Sequence, residues 1–250
     1  MKAMVLAAGL ATRLRPLTDT RPKALVEIGG RTLLEITLQR LRAFGVTEVI
    51  VNAHHFADRI VDYVALNRNF AMRIEVSREE ILLDTGGGLK KAAWFFLEDG
   101  RDRDQPFVLH NVDVRSNIDL EAMLRFHRER RALVSLAVQK RETSRYLLFD
   151  EQGQLRGRRW EHEEHTETTR SGSLQALAFC GIHVISPRLL EMMSEEGVFS
   201  IIETYLRLAG RGERILAFRA DEFYWRDLGT PDSLARAVQE LTYYPVGGEN

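Results

Sequence analysis

Small and basic residues are concentrated in the segment that runs from Ala7 to Leu25. The apolar run Lys2–Ala7 predicts a buried strand, and the small residues fall in the turn that follows it. Such a turn lets backbone N–H groups approach a phosphate chain, because no bulky side chain stands in the way. Arg13 and Lys23 could neutralise the charge of that chain. The pattern therefore predicts a polyphosphate-binding site.

Two standard phosphate-binding motifs are missing from this segment. It contains neither the G-x-x-x-x-G-K-[ST] pattern of P-loop proteins nor the G-x-G-x-x-G pattern of dinucleotide-binding folds. P-loop kinases and dinucleotide oxidoreductases are therefore disfavoured. Considered alone, the segment could also be an ordinary strand-to-helix turn with solvated arginines.

Three later segments are polar or rich in glycine and could also carry chemistry. They are Asp84–Gly88, then His110–Val114 with Asp113, and finally Trp225–Pro231 with Asp227. Taken singly, a glycine-rich loop indicates little, and each aspartate could be a turn or N-cap residue. Their order along the chain is the more informative observation.

Together the four segments resemble the sugar-1-phosphate nucleotidyltransferases. The signature of that family is L-A-A/G-G-x-G-T-R-L-x-P-L-T followed closely by P-K, and this chain reproduces it with Ala11 in place of one glycine. Asp84–Gly88 matches the family's glycine-rich loop beside the nucleobase, and His110–Val114 matches its G/N-x-D segment. Trp225–Pro231 matches the W-x-D-x-G-T segment. The resemblance covers nearly the whole chain, from Ala3 to Pro231.

The resemblance implies Mg²⁺-dependent transfer of a nucleotidyl group from a nucleoside triphosphate to a sugar 1-phosphate, which gives an NDP-sugar and pyrophosphate. Asp84–Gly88 and Phe179–Ile182 are most similar to short members, the N-acetylmuramate 1-phosphate uridylyltransferases and the mannose-1-phosphate guanylyltransferase-like proteins. UTP with an N-acetylated amino-sugar 1-phosphate, such as N-acetylmuramate 1-phosphate, is the favoured pair. The alternatives are GTP with mannose or heptose 1-phosphate, and a catalytically silent protein that binds nucleotide sugars as a sensor or regulatory subunit.

The resemblance also implies the site residues. The expected catalytic residues are Arg13, Lys23 and Asp113. The expected nucleotide-binding residues are Ala7, Ala8, Gly9, Arg13, Gly86, Gly87 and Asn111. The expected sugar-phosphate-binding residues are Lys23, Gly181 and Asp227, and the expected magnesium ligands are Asp113 and Asp227. Arg13 is expected on the β- and γ-phosphates, and Lys23 between the α-phosphate and the incoming sugar phosphate.

Two residues depart from the family pattern. Ala11 replaces a glycine, and its methyl group is tolerable only if the backbone there keeps a negative φ. Cys180 replaces a serine, a change that could alter a hydrogen bond on the acceptor side.

Strand-like and helix-like segments alternate along the chain. The predicted strands are Lys2–Ala7, Glu48–Asn52, Met72–Val76, Phe107–His110, Leu133–Val138, Tyr146–Phe149 and Ala176–Val184. The predicted helices are one between a Thr32 cap and Gly45, then Asp58–Leu66, Leu89–Leu97, Leu120–Arg130, Pro187–Met193, Ile201–Leu208, and one from Pro231, capped by Thr230, to about Leu241.

This alternation predicts an α/β fold in which helices cover both faces of a mostly parallel, mixed central sheet. It fits the Rossmann-like, three-layer, GT-A-like fold of nucleotide-diphospho-sugar transferases that the resemblance implies. We expect one domain over residues 1–242. Its nucleotide-binding half covers about residues 1–115, its sugar-phosphate-binding half covers residues 116–242, and residues 243–250 form a tail.

Composition and charge limit the partners and the compartment that the chain is expected to have. The 250 residues are 44% hydrophobic, and 35 basic against 36 acidic residues give a net charge of -1. That balance argues against nucleic acid or a membrane as partner, although residues 11–31 are locally basic. The lone Cys180 allows no intramolecular disulfide, which favours the cytoplasm. We expect a monomer or a homodimer.

Several other residues have competing interpretations. Glu161–His165 lacks the H-E-x-x-H zinc spacing, so a solvated loop is favoured over a metal site. Trp94–Phe96 are expected to be core residues of their helix. Lys140 and Arg141 could contact the acceptor phosphate or could simply lie at an exposed strand end.

Overall fold

The computed structural model of the chain describes residues 1–98, 105–160, 166–168 and 173–240. Glu161–His165 and the expected tail at 243–250 lie outside the described residues. The strands are β1 (Lys2–Leu6), β2 (Glu27–Ile28), β3 (Arg31–Thr32), β4 (Glu48–Ala53), β5 (Arg73–Arg78), β6 (Phe107–Asn111), β7 (Val114–Ser116), β8 (Val134–Gln139), β9 (Arg145–Phe149), β10 (Leu155–Trp160), β11 (Thr166–Thr168), β12 (Gln175–Ile185), β13 (Ile215–Arg219) and β14 (Trp225–Asp227). The helices are α1 (Leu33–Ala43), α2 (Ala57–Leu66), α3 (Asp84–Lys91), α4 (Ala93–Leu97), α5 (Leu120–Glu129), α6 (Arg188–Met192), α7 (Ile201–Gly210) and α8 (Pro231–Glu240).

One mixed sheet runs through both halves of the described chain. Its order is β11-β10-β9-β12-β6-β1-β4-β5, while β8 pairs with β12 and with β13. In the first half, β1 pairs in parallel with both β4 and β6, and β4 pairs in parallel with β5. The long strand β12 runs antiparallel to β6, β8 and β9. The predicted α/β fold with a mixed central sheet is therefore confirmed.

Apolar residues on the two faces of this sheet form two separate cores, as the alternation of side chains along a strand requires. In β1, Ala3 and Val5 face one core and Met4 faces the other. The first core is closed by α1, α2, α5 and α8, and the second by α3, α4, α6 and α7. The expected three layers are therefore present.

Two predicted helix starts are confirmed by their caps. The Thr32 hydroxyl accepts a hydrogen bond from the Glu35 N–H at 3.0 Å, and the Thr230 hydroxyl accepts one from the Ser233 N–H at 3.2 Å. Both hydroxyls satisfy an N–H group that the first helical turn leaves without a backbone partner.

Other elements differ from the sequence prediction. The helix expected over Leu89–Leu97 is two helices, α3 and α4, since Ala92 (φ -85°, ψ 0°) interrupts it. Trp94 is not a core residue but is 49% exposed, because the short helix α4 turns only Phe95 and Phe96 inward. The strand β10 has no apolar period, with arginines at 156, 158 and 159, and it exists because it pairs with β9 and β11. Strands β13 and β14 were also not predicted.

Within the described ranges, none of the helices combines the length and the apolar composition needed to cross a membrane.

Candidate active site

The carboxyl ends of the parallel strands β1, β4 and β6 meet at one edge of the sheet, where ligands bind in open α/β folds. A cavity of about 460 Å³ lies at this edge. Six of the residues expected from the sequence line it: Ala7, Ala8, Gly9, Lys23, Asn111 and Asp113. The cavity is lined by the small-residue turn after β1 and by the polar end of β6.

A buried amide holds the first turn in place. The Asn52 side chain, at the end of β4, accepts a hydrogen bond from the Ala7 N–H at 2.7 Å and donates one to Glu79 at 2.7 Å. The other Glu79 oxygen accepts from the Leu83 N–H at 3.0 Å. Asn52 and Glu79 are both buried, so this network fixes the turn relative to the segment before α3. This network was not predicted from the sequence, although a polar residue at the end of an apolar strand is a visible signal.

We expect Asn52→Ala to destabilise the fold by about 3 kcal/mol, because the buried Ala7 N–H and the Glu79 carboxylate each lose a partner. The KM for nucleotide should rise at the same time, since the turn is no longer held. Urea unfolding and steady-state kinetics measure the two effects. Asn67→Ala, at an exposed helix end, is the control and should change stability by less than about 1 kcal/mol. Unchanged stability of the Asn52 variant would contradict the role of the network.

The structure corrects the expectation for Ala11. Its φ is 49° and its ψ is 44°, so the residue lies in the left-handed region instead of keeping a negative φ. An L-residue with a Cβ is disfavoured there by about 1–2 kcal/mol relative to right-handed backbone. The turn therefore keeps a conformation that favours glycine, and the chain tolerates the methyl group at an energetic cost.

Ala11→Gly is accordingly expected to stabilise the protein, by about 0.5–1 kcal/mol after the greater chain entropy of glycine in the unfolded state is subtracted. The midpoint of urea unfolding measures this change. Ala65→Gly, in the exposed part of helix α2, should lower the free energy of unfolding by up to about 1 kcal/mol and so shift the midpoint the opposite way. If both variants are destabilised alike, the left-handed assignment for Ala11 is wrong.

Lys23 and Asp113 form an ion pair at the cavity wall. Lys23 begins a short 3-10 turn after Pro22, and Asp113 follows the end of β6. Their side chains are only 11% and 18% exposed, so each charge is largely removed from water and balanced by the other. A cation and a carboxylate are thus held together beside the first turn.

The second expected carboxylate is brought to the same place by a small two-stranded sheet. In it, β14 runs antiparallel to β7 and Asp227 lies opposite Val114. The Leu228 N–H also donates to the Asp113 carbonyl at 2.8 Å. Two aspartates more than a hundred residues apart in sequence therefore become backbone neighbours.

Arg13 reaches the same corner. A Cβ atom on Gly229 would lie 2.7 Å from an Asp227 carboxylate oxygen and 2.9 Å from an Arg13 guanidinium nitrogen. Gly229 is therefore required here because its missing side chain leaves room for these two groups. Asp227 is further oriented by the Gly229 N–H, which donates to it at 2.9 Å.

The glycine segment at 86–88 is not the loop that the sequence predicted. Asp84–Lys91 is helix α3, and the N–H groups of Gly86 and Gly87 both donate to the Phe199 carbonyl, at 2.9 and 3.3 Å. A Cβ on Gly86 would lie 2.3 Å from the Phe199 ring, so the glycine allows α3 to pack against the segment before α7. These N–H groups are therefore already engaged, and the expected contact of Gly86 and Gly87 with the nucleotide stays a prediction.

Gly181 marks a bulge in β12. Its φ is 71°, the pairing with β8 shifts between Phe179 and His183, and a Cβ would lie 2.8 Å from the Asn111 side-chain nitrogen. Gly181 therefore lies directly against Asn111, which lines the cavity. A contact of Gly181 with the sugar phosphate stays a prediction.

Cys180 does not face the acceptor side. Its side chain is fully buried in the first core, its Sγ lies 3.9 Å from the Ala178 carbonyl, and burial raises the pKa of the thiol to about 12. The Cys180 carbonyl instead accepts a hydrogen bond from the Trp225 indole N–H at 2.7 Å. The thiol therefore stays protonated in the core and takes no part in the chemistry of the cavity.

Lys140 and Arg141 have different surroundings. Lys140 is exposed, as expected of a strand end. The Arg141 guanidinium lies over the Trp225 ring at 3.6 Å and donates to the Phe179 carbonyl at 2.8 Å. Arg141 therefore ties the bulge of β12 to β14, the strand that carries Asp227.

Two buried histidines near the cavity, His110 and His183, are neutral. Burial lowers the pKa of His110 and of His183 to about 3, and the Tyr205 hydroxyl lies 2.9 Å from Nδ1 of His183. Nδ1 of His54 lies 2.8 Å from the Glu79 carbonyl oxygen. The rings of His110 and His183 therefore carry no charge at neutral pH.

The donor set suits a hard divalent cation that keeps most of its own water or substrate ligands. No group of three or more His, Cys, Asp or Glu side chains that could hold a metal ion occurs in the part of the chain that the structure describes. Asp113 and Asp227 supply two carboxylates, and Mg²⁺ commonly binds through one or two carboxylates together with substrate phosphates. The two aspartates therefore fit the expected ion.

Sequence comparison identifies the family of this chain and several relatives. A sequence model of the family described as "Nucleotidyl transferase" matches residues 2–243. The chain is 32% identical over 246 residues to N-acetylmuramate alpha-1-phosphate uridylyltransferase of Caulobacter vibrioides, covering 96% of both chains. It is 30% identical to a mannose-1-phosphate guanylyltransferase of Mycobacterium tuberculosis over 96% of its own length, but spans only 64% of that relative.

Solved structures share the fold at low sequence identity. HddC from Yersinia pseudotuberculosis, solved in complex with GMP-PN, superposes with a TM-score of 0.74 at 20% identity and covers 96% of this chain and 99% of its own. A putative glucose-1-phosphate thymidylyltransferase from Bacillus anthracis superposes with a TM-score of 0.81 at 14% identity, covering 99% of this chain and 98% of its own.

Proposed function

The chain belongs to the nucleotidyl transferase family, and from that premise we propose that it transfers the nucleotidyl group of a nucleoside triphosphate to a sugar 1-phosphate. The observation that carries the proposal is the Lys23–Asp113 ion pair beside a small-residue turn, with Arg13 and Asp227 both reaching the space beside Gly229. Two cations and two carboxylates at the open edge of the sheet suit the joining of two phosphate groups.

The reaction requires little proton transfer. A phosphate monoester has a second pKa of about 6, so the sugar phosphate is largely ionised at neutral pH and needs no general base. One of its oxygens bonds to the α-phosphorus, and the bond from that phosphorus to the bridging oxygen of the β-phosphate breaks. Pyrophosphate leaves with the electron pair. The neutral state of His110 and His183 is consistent with a site that works by charge and position.

The proposed roles of the residues follow from where they lie. The turn at Ala7, Ala8 and Gly9 approaches the phosphates with backbone N–H groups, and Arg13 binds the β- and γ-phosphates. Lys23 contacts the α-phosphate and the incoming phosphate, which brings two anions together. Gly86 and Gly87 act mainly by allowing α3 to pack closely beside the cavity.

Asp113 and Asp227 would hold Mg²⁺ in this proposal. The ion would supply positive charge that stabilises the phosphate oxygens as the displacement proceeds. Arg141, stacked on Trp225 two residues before Asp227, would keep that carboxylate in position.

UTP with an N-acetylated amino-sugar 1-phosphate, such as N-acetylmuramate 1-phosphate, is the proposed substrate pair. It is supported by the 32% identical uridylyltransferase, which this chain matches over nearly its full length. GTP with mannose or heptose 1-phosphate is the second candidate, supported by the 30% identical guanylyltransferase. The reducing cytoplasm, where nucleoside triphosphates are made, suits such an enzyme and its single buried Cys180.

A matrix of the four common nucleoside triphosphates against several sugar 1-phosphates, with Mg²⁺, tests the proposal through pyrophosphate release. We expect the highest kcat/KM for UTP with N-acetylmuramate 1-phosphate. A maximum for GTP with mannose 1-phosphate would select the second candidate. No turnover in the whole matrix, together with nucleotide-sugar binding detected by thermal shift, would instead identify a sensor or regulatory protein.

A further inference from the structure

A second cavity, of about 430 Å³, opens beside the first. The two cavities share Asp84, Thr85 and Asn111 in their linings. Strands β9 and β10 form one wall of the second cavity, and the start of the helix α7 forms another. A molecule whose phosphate lies at Lys23 would therefore extend into this second space.

Two arginines and a tryptophan lie on one face of the β9–β10 hairpin. In the antiparallel register Arg145 lies directly opposite Trp160, and Arg158 is two residues before Trp160 on the same strand. Residues that are directly opposite or two apart share a face of a sheet. The Arg158 guanidinium lies 4.4 Å from the centre of the Trp160 ring. Arg145, Arg158 and Trp160 all line the cavity, with the Arg158 guanidinium beside the indole.

The charge of this lining is positive. The charged residues of the described lining are Arg145, Arg158, Arg159 and the single carboxylate Asp84. Among the residues that the structure describes, the Arg145 side chain forms no ion pair. The transfer reaction proposed above places its two phosphate-binding cations, Arg13 and Lys23, at the first cavity. Further arginines beyond it have no role in that reaction.

We propose that the second cavity selects a sugar 1-phosphate that carries a carboxylate on its ring, with Arg145 and Arg158 binding the carboxylate and Trp160 packing against the sugar. This inference rests on the proposed function, because it takes the acceptor to be a sugar 1-phosphate. A guanidinium presents paired N–H donors that match the two oxygens of a carboxylate. An aromatic ring covers the apolar face of a sugar without requiring a hydrogen-bond partner.

The test compares N-acetylmuramate 1-phosphate with N-acetylglucosamine 1-phosphate, which differ only in the lactyl ether that bears the carboxylate. Calorimetric binding of each, with UTP turnover alongside, is measured for the unmodified protein, for Arg145→Gln and for Arg158→Gln. We expect the unmodified protein to bind the carboxylate-bearing acceptor at least about tenfold more tightly, as a charged hydrogen-bonded pair would give. Each substitution should remove most of that preference and leave binding of the other acceptor within about twofold.

Arg125→Gln, on the exposed face of α5, makes the same change of charge away from both cavities and should leave the preference intact. Equal binding of the two acceptors by the unmodified protein would overturn the inference, as would arginine variants that lose both acceptors alike. Selective binding without turnover of any acceptor would support the inference while contradicting the proposed transfer reaction. Turnover of both acceptors with equal kcat/KM would support the proposed transfer reaction while contradicting the inference.

Discussion

Asp113→Asn is expected to lower pyrophosphate formation by about a thousandfold or more, because a proposed Mg²⁺ ligand and the charge partner of Lys23 are lost together. The protein should stay folded, since the asparagine oxygen still accepts a hydrogen bond from Lys23 at a wall of the cavity. Steady-state kinetics over a range of Mg²⁺ concentrations, with circular dichroism of the same sample, measure both parts of this expectation.

The control for this variant is Asp62→Asn, which makes the same chemical change on the exposed side of α2. It should leave turnover within about twofold of the unmodified protein. Near-normal turnover of Asp113→Asn would remove Asp113 from the catalytic residues. A loss of folding in that variant alone would show that the Lys23–Asp113 pair is structural.

For Lys23→Ala the expected loss is about a hundredfold or more and lies mainly in kcat, because its contact strengthens as negative charge moves between the two phosphates. The KM for each substrate should change much less. Lys91→Ala, which removes an exposed lysine that donates to the Arg78 carbonyl, is the matched control and should have little effect.

The double variant of Lys23 and Asp113 separates two explanations of these losses. If the residues act on one group of phosphates, the double variant should lose little more than the stronger single variant. Fully additive losses in the double variant would mean that the two residues act independently. A large rise in KM for Lys23→Ala without a change in kcat would make Lys23 a ground-state binding residue only.

The sequence predicted elements of the fold correctly where apolar residues recur in a regular pattern or where a capping residue marks the start of a helix. The apolar run in β1 and the caps at Thr32 and Thr230 placed a strand and two helix starts correctly. The strand β10 could not be found in this way, because its basic side chains have no apolar period and its backbone is stabilised by hydrogen bonds to neighbouring strands. Trp94 was misplaced because a five-residue helix can turn only part of its apolar run toward the sheet.

The candidate site was predictable only through the order of motifs. The identities of Lys23, Asp113 and Asp227 came from that order, but their proximity depends on the pairing of β7 with β14, which joins distant parts of the chain. The same limit explains Asn52, whose amide contacts Ala7 at the end of the neighbouring strand β1, 45 residues away in sequence. Side-chain partners of high sequence separation leave no periodic signal.

The conformations of single turns were the least predictable feature. Ala11 lies in the left-handed region although its methyl group disfavours that conformation, and its carbonyl accepts hydrogen bonds from the Leu14 N–H and the Thr18 hydroxyl. The glycines at 86–88 were expected in a loop, although they lie in a helix in which Gly86 packs closely against Phe199. For the glycines, a tertiary contact overrides the local preference of the residue.

The edge of the sheet at Lys23, Asp113, Arg13 and Asp227 is proposed to join a nucleotide to a sugar 1-phosphate. The sharpest test is phosphorus NMR of a mixture of Mg²⁺, UTP, N-acetylmuramate 1-phosphate and the protein. We expect the coupled diphosphate signals of a UDP-sugar together with an equal amount of inorganic pyrophosphate, and neither product in the same time with Asp113→Asn. Release of UMP and pyrophosphate without a UDP-sugar, or equal product from the Asp113 variant, would contradict the proposal.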